Sequence, residues 1–295
     1  MNQRKAIYFA LFAVLLWSTV ATAFKVALQY LTPLELLTVA AVTSVIFFAM
    51  VLTVNKSWVE TMAIGRRRSG FYALQGLINP AAYYWVLFAA YDQLPAQQAQ
   101  AINYTWAITM SLLAVPFLGH TLSRKDLLAM VLAYAGVFLI ATGGQWDLTQ
   151  TNWSGIGLAL LSTLLWATYW LLNTKNQDPP IPALFWCFVW GILWLALVNG
   201  LSSLLGAEPN NAFTLTWPGL VAGVYVGLFE MGVTFVLWLT AMRLATKTAQ
   251  ISTLIFLSPF ISLVLIYVVL DEMIQITTFV GLLLICIGLY QQRDN

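Results

Sequence analysis

Apolar runs of about 20 residues recur along this chain, and the positive charges between them fall in alternate gaps. Ten runs can be drawn, at about residues 6–28, 33–54, 69–91, 95–117, 126–142, 153–173, 181–205, 217–243, 246–270 and 273–290. Arg4 and Lys5 precede the first run. Lys56, Arg66, Arg67 and Arg68 lie between the second and third, and Arg124 and Lys125 between the fourth and fifth. Lys175 follows the sixth, Arg243 and Lys247 flank the gap before the ninth, and Arg293 closes the chain. The intervening gaps carry the acids Glu35, Asp92, Asp147, Glu208, Asp271 and Glu272; only Lys25 breaks the alternation. By the positive-inside rule both termini are expected in the cytoplasm and the number of spans is even. The expected fold is an all-α, multi-pass membrane protein of ten transmembrane helices.

Charged residues make up 8% of the chain, against about 25% in a soluble domain. Nearly all of it is therefore assigned to the bilayer. The longest polar gaps, 55–68 and 206–216, are too short to fold alone. The small positive net charge follows from membrane orientation. No basic stripe interleaved with aromatics points to nucleic acid. Cys187 and Cys286 lie within apolar runs and read as small core residues; there is no CxxC, no HExxH, and His120 stands alone. No metal, haem or other cofactor is expected. No GxxxxGK[ST] is present, so ATP is not expected either. Residues 4–24 have the outline of a signal peptide, with Arg4-Lys5, an apolar stretch and Ala21-Thr22-Ala23. The segment has a counterpart later in the chain and is read as a span.

That counterpart belongs to an internal repeat. Leu15-Leu16-Trp17-Ser18-Thr19 matches Leu164-Leu165-Trp166-Ala167-Thr168, about 149 residues on. Leu94 with Ala99-Gln100 matches Leu244 with Ala249-Gln250, at an offset of about 150. The repeat unit holds five runs, an odd number, so the second copy (153–290) enters the membrane from the side opposite to the first (6–142). Inverted repeats of this kind underlie alternating access in secondary transporters and place substrate near the midplane. The boundary falls between Gly143-Gly144 and Asn152.

The midplane residues form an aromatic and amide-rich layer: Trp17 and Ser18, Asn79-Pro80, Asn103, Tyr104 and Trp106, Trp166, Tyr169, Trp170 and Asn173, Glu230, and Ser258-Pro259. Glu230 is the only acid well inside a run. An ionised acid there costs about 2.5–3.5 kcal/mol on insertion scales, so it must face protein or a wet cavity. Gly219, Gly223 and Gly227 recur every four residues and form a packed face, and Glu230 falls near that face at about 100° per residue. The repeat offset relates Glu230 to Asn79 or Pro80. Glu230 is either an inert, hydrogen-bonded acid or a carboxyl that carries a proton or holds a cation. Lys25 either snorkels to the headgroups or lines an outer vestibule. Pro80 and Pro259 mark static kinks or gate hinges. Trp58, Trp146, Trp153 and Trp217 read as interfacial anchors. Trp186, Trp190 and Trp194 form a stripe that faces lipid, the core or a second copy, so monomer and homodimer both stay open. Trp17, Trp106, Trp166 and Trp170 have depths that suit stacking on an aromatic ring or a cation.

Ten runs, the Leu-Trp-Ser-Thr at 16–19, the Leu-Trp-Ala-Thr-Tyr at 165–169 and the stretch from Ser258-Pro259 to Asp271-Glu272 and Gly281 and Gly288 resemble the drug/metabolite transporter superfamily, EamA type. Asn103-Tyr104-Thr105-Trp106 is similar to the Asn-Tyr-Leu-Trp of its aromatic amino acid exporter branch. The chain departs from the family where Gly119-His120 stands for Gly-Glu, and from that branch where Ala107 stands for Pro. The resemblance implies a central cavity between the halves lined by Trp17, Asn79, Tyr83, Asn103, Tyr104, Trp166, Tyr169 and Glu230. It also implies export of amino acids, other metabolites or toxic compounds across a bacterial inner membrane. The reading is a secondary-active exporter of small amphipathic or aromatic molecules, coupled to protons through Glu230. Facilitative transport, exchange and import stay open. A membrane-embedded transferase would need a His, Asp or Ser cluster near one interface, and none is visible.

Overall fold

A computed structural model describes residues 2–119, 121–145, 149, 151–174, 176–204, 216–246, 250–251 and 254–292. His120, Trp146, Asp147, Lys175, Glu208, Lys247, Ala249 and Arg293, used above, lie outside these residues. Among the described residues the chain is helical with no strand. The helices are α1 (Gln3–Ser18), α2 (Val20–Leu28), α3 (Pro33–Val54), α4 (Trp58–Arg67), α5 (Ser69–Gly76), a π turn (Leu77–Ala82), α6 (Tyr83–Gln93), α7 (Ala96–Asn103) and α8 (Trp106–Leu118). There follow α9 (Arg124–Thr142), α10 (Trp153–Asn173), α11 (Pro180–Leu204), α12 (Trp217–Phe229), α13 (Val233–Leu244), a 3-10 turn (Leu254–Leu257), α14 (Ser258–Leu270) and α15 (Ile276–Gln292).

Polar residues in the gaps act as caps. Thr32 and Glu35 cap α3 reciprocally, and Ser123 and Asp126 do the same for α9. Asn152 and Thr216 accept from backbone N–H groups at the starts of α10 and α12. Gly143 and Gly144 end α9 with φ of 61° and 76°, a left-handed turn that a side chain would strain.

Seven helical stretches are long and apolar enough to cross a membrane: Gln3–Leu28, Pro33–Val54, Ala96–Leu118, Arg124–Thr142, Trp153–Asn173, Pro180–Leu201 and Trp217–Leu244. Leu254–Leu270 and Ile276–Tyr290 are shorter apolar helices. Three expected features differ. The run at 69–91 is divided into α5, the π turn and α6, because Asn79 leaves the helical region (φ −142°, ψ 118°) immediately before Pro80. The run at 246–270 is not one helix: a 3-10 turn precedes α14, and Pro259 is the second residue of α14, where its missing N–H is tolerated. The polar gap at 55–68 contains a helix of its own, α4, which buries Thr61, Ile64 and Gly65.

The chain forms two compact units, each drawing on both sequence halves. The first comprises Met1–Phe88 with Gln177–Ser262, and the second Ala89–Asn176 with Leu263–Asn295. In the first unit the glycine face of α12 lies on α3. A Cβ on Gly223 would sit 2.7 Å from Val39, and one on Gly227 2.5 Å from the Ala40 carbonyl. Ser44 also donates to the Gly227 carbonyl (3.0 Å). α1 packs on α13 through Ala6, Ala10, Ala241 and Ala245. α11 closes on α5 and the π turn: a Cβ on Gly191 would stand 2.6 Å from Pro80. The tryptophan stripe of α11 belongs to this packing. Trp186 donates to the Thr61 carbonyl (2.7 Å) and Trp194 to that of Ala73 (2.8 Å). The indole N–H groups of Trp186 and Trp194 thus satisfy backbone acceptors within their own unit, while all three rings of the stripe stay partly exposed.

In the second unit α9 and α15 approach at backbone distance. A Cβ on Gly136 would lie 2.5 Å from the Gly281 carbonyl, and one on Gly288 2.6 Å from that of Ala129. α10 packs on α7 and α8, and Leu94 fills the space above Gly155.

Candidate functional site

Three long helices of the first unit are interrupted inside apolar sequence: at Thr19, at Asn79 and at Glu230. The Thr19 hydroxyl bonds the Leu16 carbonyl and pairs with the Tyr225 hydroxyl, both at 2.7 Å. At Asn79 the extended backbone and the missing Pro80 N–H interrupt the helical hydrogen bonds. The Asn79–Pro80 peptide is cis. Glu230 ends α12, its N–H bonding the Val226 carbonyl (2.9 Å), and α13 begins at Val233. The Thr234 hydroxyl donates to the Phe229 carbonyl. Asn79 and Glu230, related above by the repeat offset, thus both stand where a helix breaks.

The Glu230 carboxylate accepts a hydrogen bond from Tyr84 (3.1 Å). Tyr84 is fully buried, edge-on to Tyr83 (4.6 Å between centroids) and 5.6 Å from Phe88, which meets Phe24 of α2 at 4.8 Å. Aromatic rings therefore hold the phenol in one orientation. Trp17 packs against Phe235 (5.9 Å) and Trp238 (5.4 Å) of α13. Ser18 is buried and donates to the Val14 carbonyl of its own helix (2.7 Å), so its hydroxyl is already engaged. Lys25 lies in the last turn of α2, where a cation complements the helix dipole.

The aromatic residues expected in the fourth and sixth runs gather in the second unit. Trp106 meets Trp166 edge-on at 6.4 Å, Trp166 stacks on Tyr169 at 5.6 Å, and Trp170 stands edge-on to Trp166 (5.8 Å) and Tyr169 (5.9 Å). The Trp170 indole N–H is buried with no hydrogen-bond partner among the described residues. Beside this cluster Asn103 donates to Ser162 (3.0 Å), which donates to the Ala159 carbonyl (2.6 Å). Tyr104 sits at the break between α7 and α8.

Sequence reading missed several members. Tyr84, which bonds Glu230, and Ser162, which accepts from Asn103, stand beside the expected residues and were not among them. Asp178 was overlooked among cations. It lies ahead of α11 and accepts from Arg67 (3.0 Å), Arg68 (2.6 Å) and the Tyr72 hydroxyl (2.7 Å). Burial pushes its carboxyl up, but hydrogen bonds from Tyr72 and Arg68 and the charges of Arg68 and Arg67 outweigh it and hold Asp178 below the usual carboxylate range. The available signal was a single acid in an otherwise basic gap. Among the described residues no group of three or more His, Cys, Asp or Glu is placed to hold a metal.

Comparison with known proteins adds a lineage. The profile of the EamA-like transporter family matches residues 4–142 and again 153–291. The uncharacterized transporter YvbV of Bacillus subtilis (strain 168) is 23% identical over 276 residues, 93% of this chain and 87% of that protein. The uncharacterized transporter YoaV of the same organism is 20% identical over 279 residues, 94% and 92% respectively. A 4-hydroxybenzoate octaprenyltransferase of Ralstonia nicotianae is 28% identical over 174 residues, 50% of this chain and 59% of that enzyme. A crystal structure of another protein superposes with a TM-score of 0.66 at 18% identity, covering 99% of this chain and 97% of the other, and shows a shared fold.

Proposed function

The chain belongs to the EamA-like transporter family, and from that premise we propose that it is a secondary-active exporter of small organic metabolites, working by alternating access and coupled to protons through Glu230. The proposal takes the chain as ten spans in two inverted repeats, 6–142 and 153–290, with both termini in the cytoplasm of a bacterial cell and the protein in its inner membrane. The substrates are amino acids and other amphipathic or aromatic compounds.

The observation that carries this reading is the hydrogen bond from Tyr84 to Glu230 at a helix break. A carboxyl within a span is expensive and needs a partner. A broken helix supplies backbone polar groups and room for two arrangements of one side chain. Ionised, Glu230 accepts from Tyr84; protonated, it gains a donor and competes for a different acceptor. One titration thereby changes the hydrogen bonding at a break, which is the coupling that proton-driven transport requires. Trp17, Ser18, Tyr83 and Asn79 in the first unit are proposed to contact substrate. Asn103, Tyr104, Trp106, Trp166, Tyr169 and Trp170 are proposed to do so in the second, with the aromatic rings stacking on its apolar part. Pro80 and Pro259 are proposed as hinges and Lys25 as a vestibule cation.

The test is a growth-inhibition panel in a sensitive bacterial host expressing wild type, Glu230→Gln or empty vector at matched membrane levels. The compounds are amino acids and toxic analogues, purines and lipophilic cations. Protection by wild type and not by Glu230→Gln supports the reading and names a substrate class, and pH-gradient assays then test the coupling. Equal protection by both removes Glu230 from the mechanism. Sensitisation by wild type reverses the direction to import.

A further inference from the structure

Arg68 just before α5, Tyr72 and Gln75 within it and Asn79 at the break follow one another at intervals of four, three and four, with Tyr72 and Gln75 on one helical face. Tyr72 and Gln75 are 0% exposed and Asn79 1%. The first two of the four join Asp178, through the Arg68 guanidinium and the Tyr72 hydroxyl. The Gln75 amide nitrogen, the Gln75 amide oxygen and Asn79 Oδ1 are all buried with no hydrogen-bond partner among the described residues. Left dry, each such atom would cost about 1–3 kcal/mol, and native proteins rarely leave three together. Five residues past Asn79, across the break, stands Tyr84 with its hydroxyl on Glu230.

We propose that Gln75 and Asn79 anchor a file of water inside the first unit, running from the Arg68–Asp178 cluster to the Tyr84–Glu230 pair. It rests on the reading of Glu230 as the coupling carboxyl and supplies the route by which protons reach it. Water is the occupant because both amides are sealed from the surface; a buried water makes about three hydrogen bonds to groups of this kind. The amides do not relay protons themselves. They fix the waters, each of which takes one proton and passes one on. The proton enters from bulk water at the Asp178 end and comes to rest on a Glu230 carboxylate oxygen. The charged groups facing the ends of the file are Arg67, Arg68 and Asp178 at one and Glu230 with the Tyr84 phenol at the other.

Synchrotron radiolytic labelling in ¹⁸O water tests this without a known substrate, since hydroxyl radicals formed from ordered internal water mark the side chains beside it. In the full-length protein the buried Tyr72 and Tyr84 are expected to label within about tenfold of the exposed Tyr8, while the buried Phe48 stays unlabelled. Gln75→Met, close in shape but apolar, is expected to cut labelling of Tyr72 and Tyr84 at least fivefold and to lower Tm. Unlabelled tyrosines in wild type, labelling unchanged in Gln75→Met, or a Tm that rises because a dry amide has been removed would each overturn the proposal. If Gln75→Met does not reach the membrane, the wild-type contrast between the two tyrosines and Phe48 decides. Normal transport by Glu230→Gln with the labelling intact would instead refute the coupling role and leave the water file standing.

Discussion

The phenol of Tyr84 on α6 donates to the carboxylate of Glu230, 146 residues further along the chain, across a distance of 3.1 Å. The bond joins a helix that follows one break to the end of a helix that precedes another. A hydrogen bond to a charged acceptor is worth about 1.5–3 kcal/mol. Tyr84→Phe keeps the ring packing on Tyr83 and Phe88 and removes only the donor. It is expected to reduce proton-driven transport by roughly 10- to 100-fold, with membrane abundance close to wild type. Initial rates in vesicles with an imposed pH gradient would check it. Rates equal to wild type would show that the bond does not serve the cycle.

Asp178 makes stability depend on acid pH. Its folded pKa lies below its unfolded value, so the folded state binds fewer protons between the two. The stabilisation is therefore complete above the unfolded pKa near 4 and lost as pH falls through the folded one. Thermal melts of the purified protein in detergent, taken from pH 7 down to pH 3, are expected to show Tm falling on the acid side. Asp178→Asn is expected to lower Tm at pH 7 and to flatten that acid limb. An Asp178→Asn curve parallel to wild type would mean that the cluster is not what titrates.

Much of this fold was legible because a bilayer permits few solutions. Apolar length, gap charge and glycine spacing all pointed to helices, and the face carrying Gly219, Gly223 and Gly227 is packed as its spacing implied, on Leu31 and on Val39 and Ala40 of α3. The breaks were less legible. Pro80 marked one, but nothing in the run from Trp217 to Leu244 announces that the helix ends at Glu230, since Glu230-Met231-Gly232 reads as one polar residue in an apolar span. That Tyr84 and not Tyr83 bonds Glu230 was hidden for the same reason. One residue is about 100° of helix, and the extended Asn79 resets the phase that would have told them apart. Asp178 was lost because its partners lie more than 100 residues away. The α11 tryptophans have a spacing that suits lipid and core equally, and the bonds of Trp186 and Trp194 to the Thr61 and Ala73 carbonyls could not be read from it.

Gly227 and Gly157 make a matched pair for testing the packing. A Cβ on Gly227 would stand 2.5 Å from the Ala40 carbonyl oxygen and 2.7 Å from Thr43 Cβ, and backbone cannot step aside as a flexible side chain can. Gly227→Ala is expected to cost about 1–3 kcal/mol, as overpacking does. Nothing lies within 4 Å of a Cβ on Gly157, so Gly157→Ala is expected to stay within about 0.5 kcal/mol of wild type. Melting of each variant in detergent gives the comparison. Equal losses, or none at Gly227, would show that α12 and α3 are not as close as this.

Glu272 holds the start of α7. Its two carboxylate oxygens accept from the Ala96 and Gln97 N–H groups (3.0 and 3.2 Å), which the helix itself cannot satisfy. Gln97 completes the junction, donating to the Met273 carbonyl (2.9 Å) and accepting from the Gln275 N–H (3.0 Å). A negative charge at a helix N-terminus adds to the hydrogen bonds, so Glu272→Gln retains one acceptor and loses the charge, whereas Glu272→Ala loses both. The expected losses are about 0.5–1 kcal/mol for Gln and 1–2 kcal/mol for Ala. The carboxylate fixes a helix end and its hydrogen bonds among the described residues go to Ala96 and Gln97, so transport per folded molecule should stay within about twofold of wild type. Transport rates normalised to folded protein, measured beside the melts, separate the two roles. A normalised rate that collapses in Glu272→Gln while Tm barely moves would place this carboxylate in the transport cycle instead.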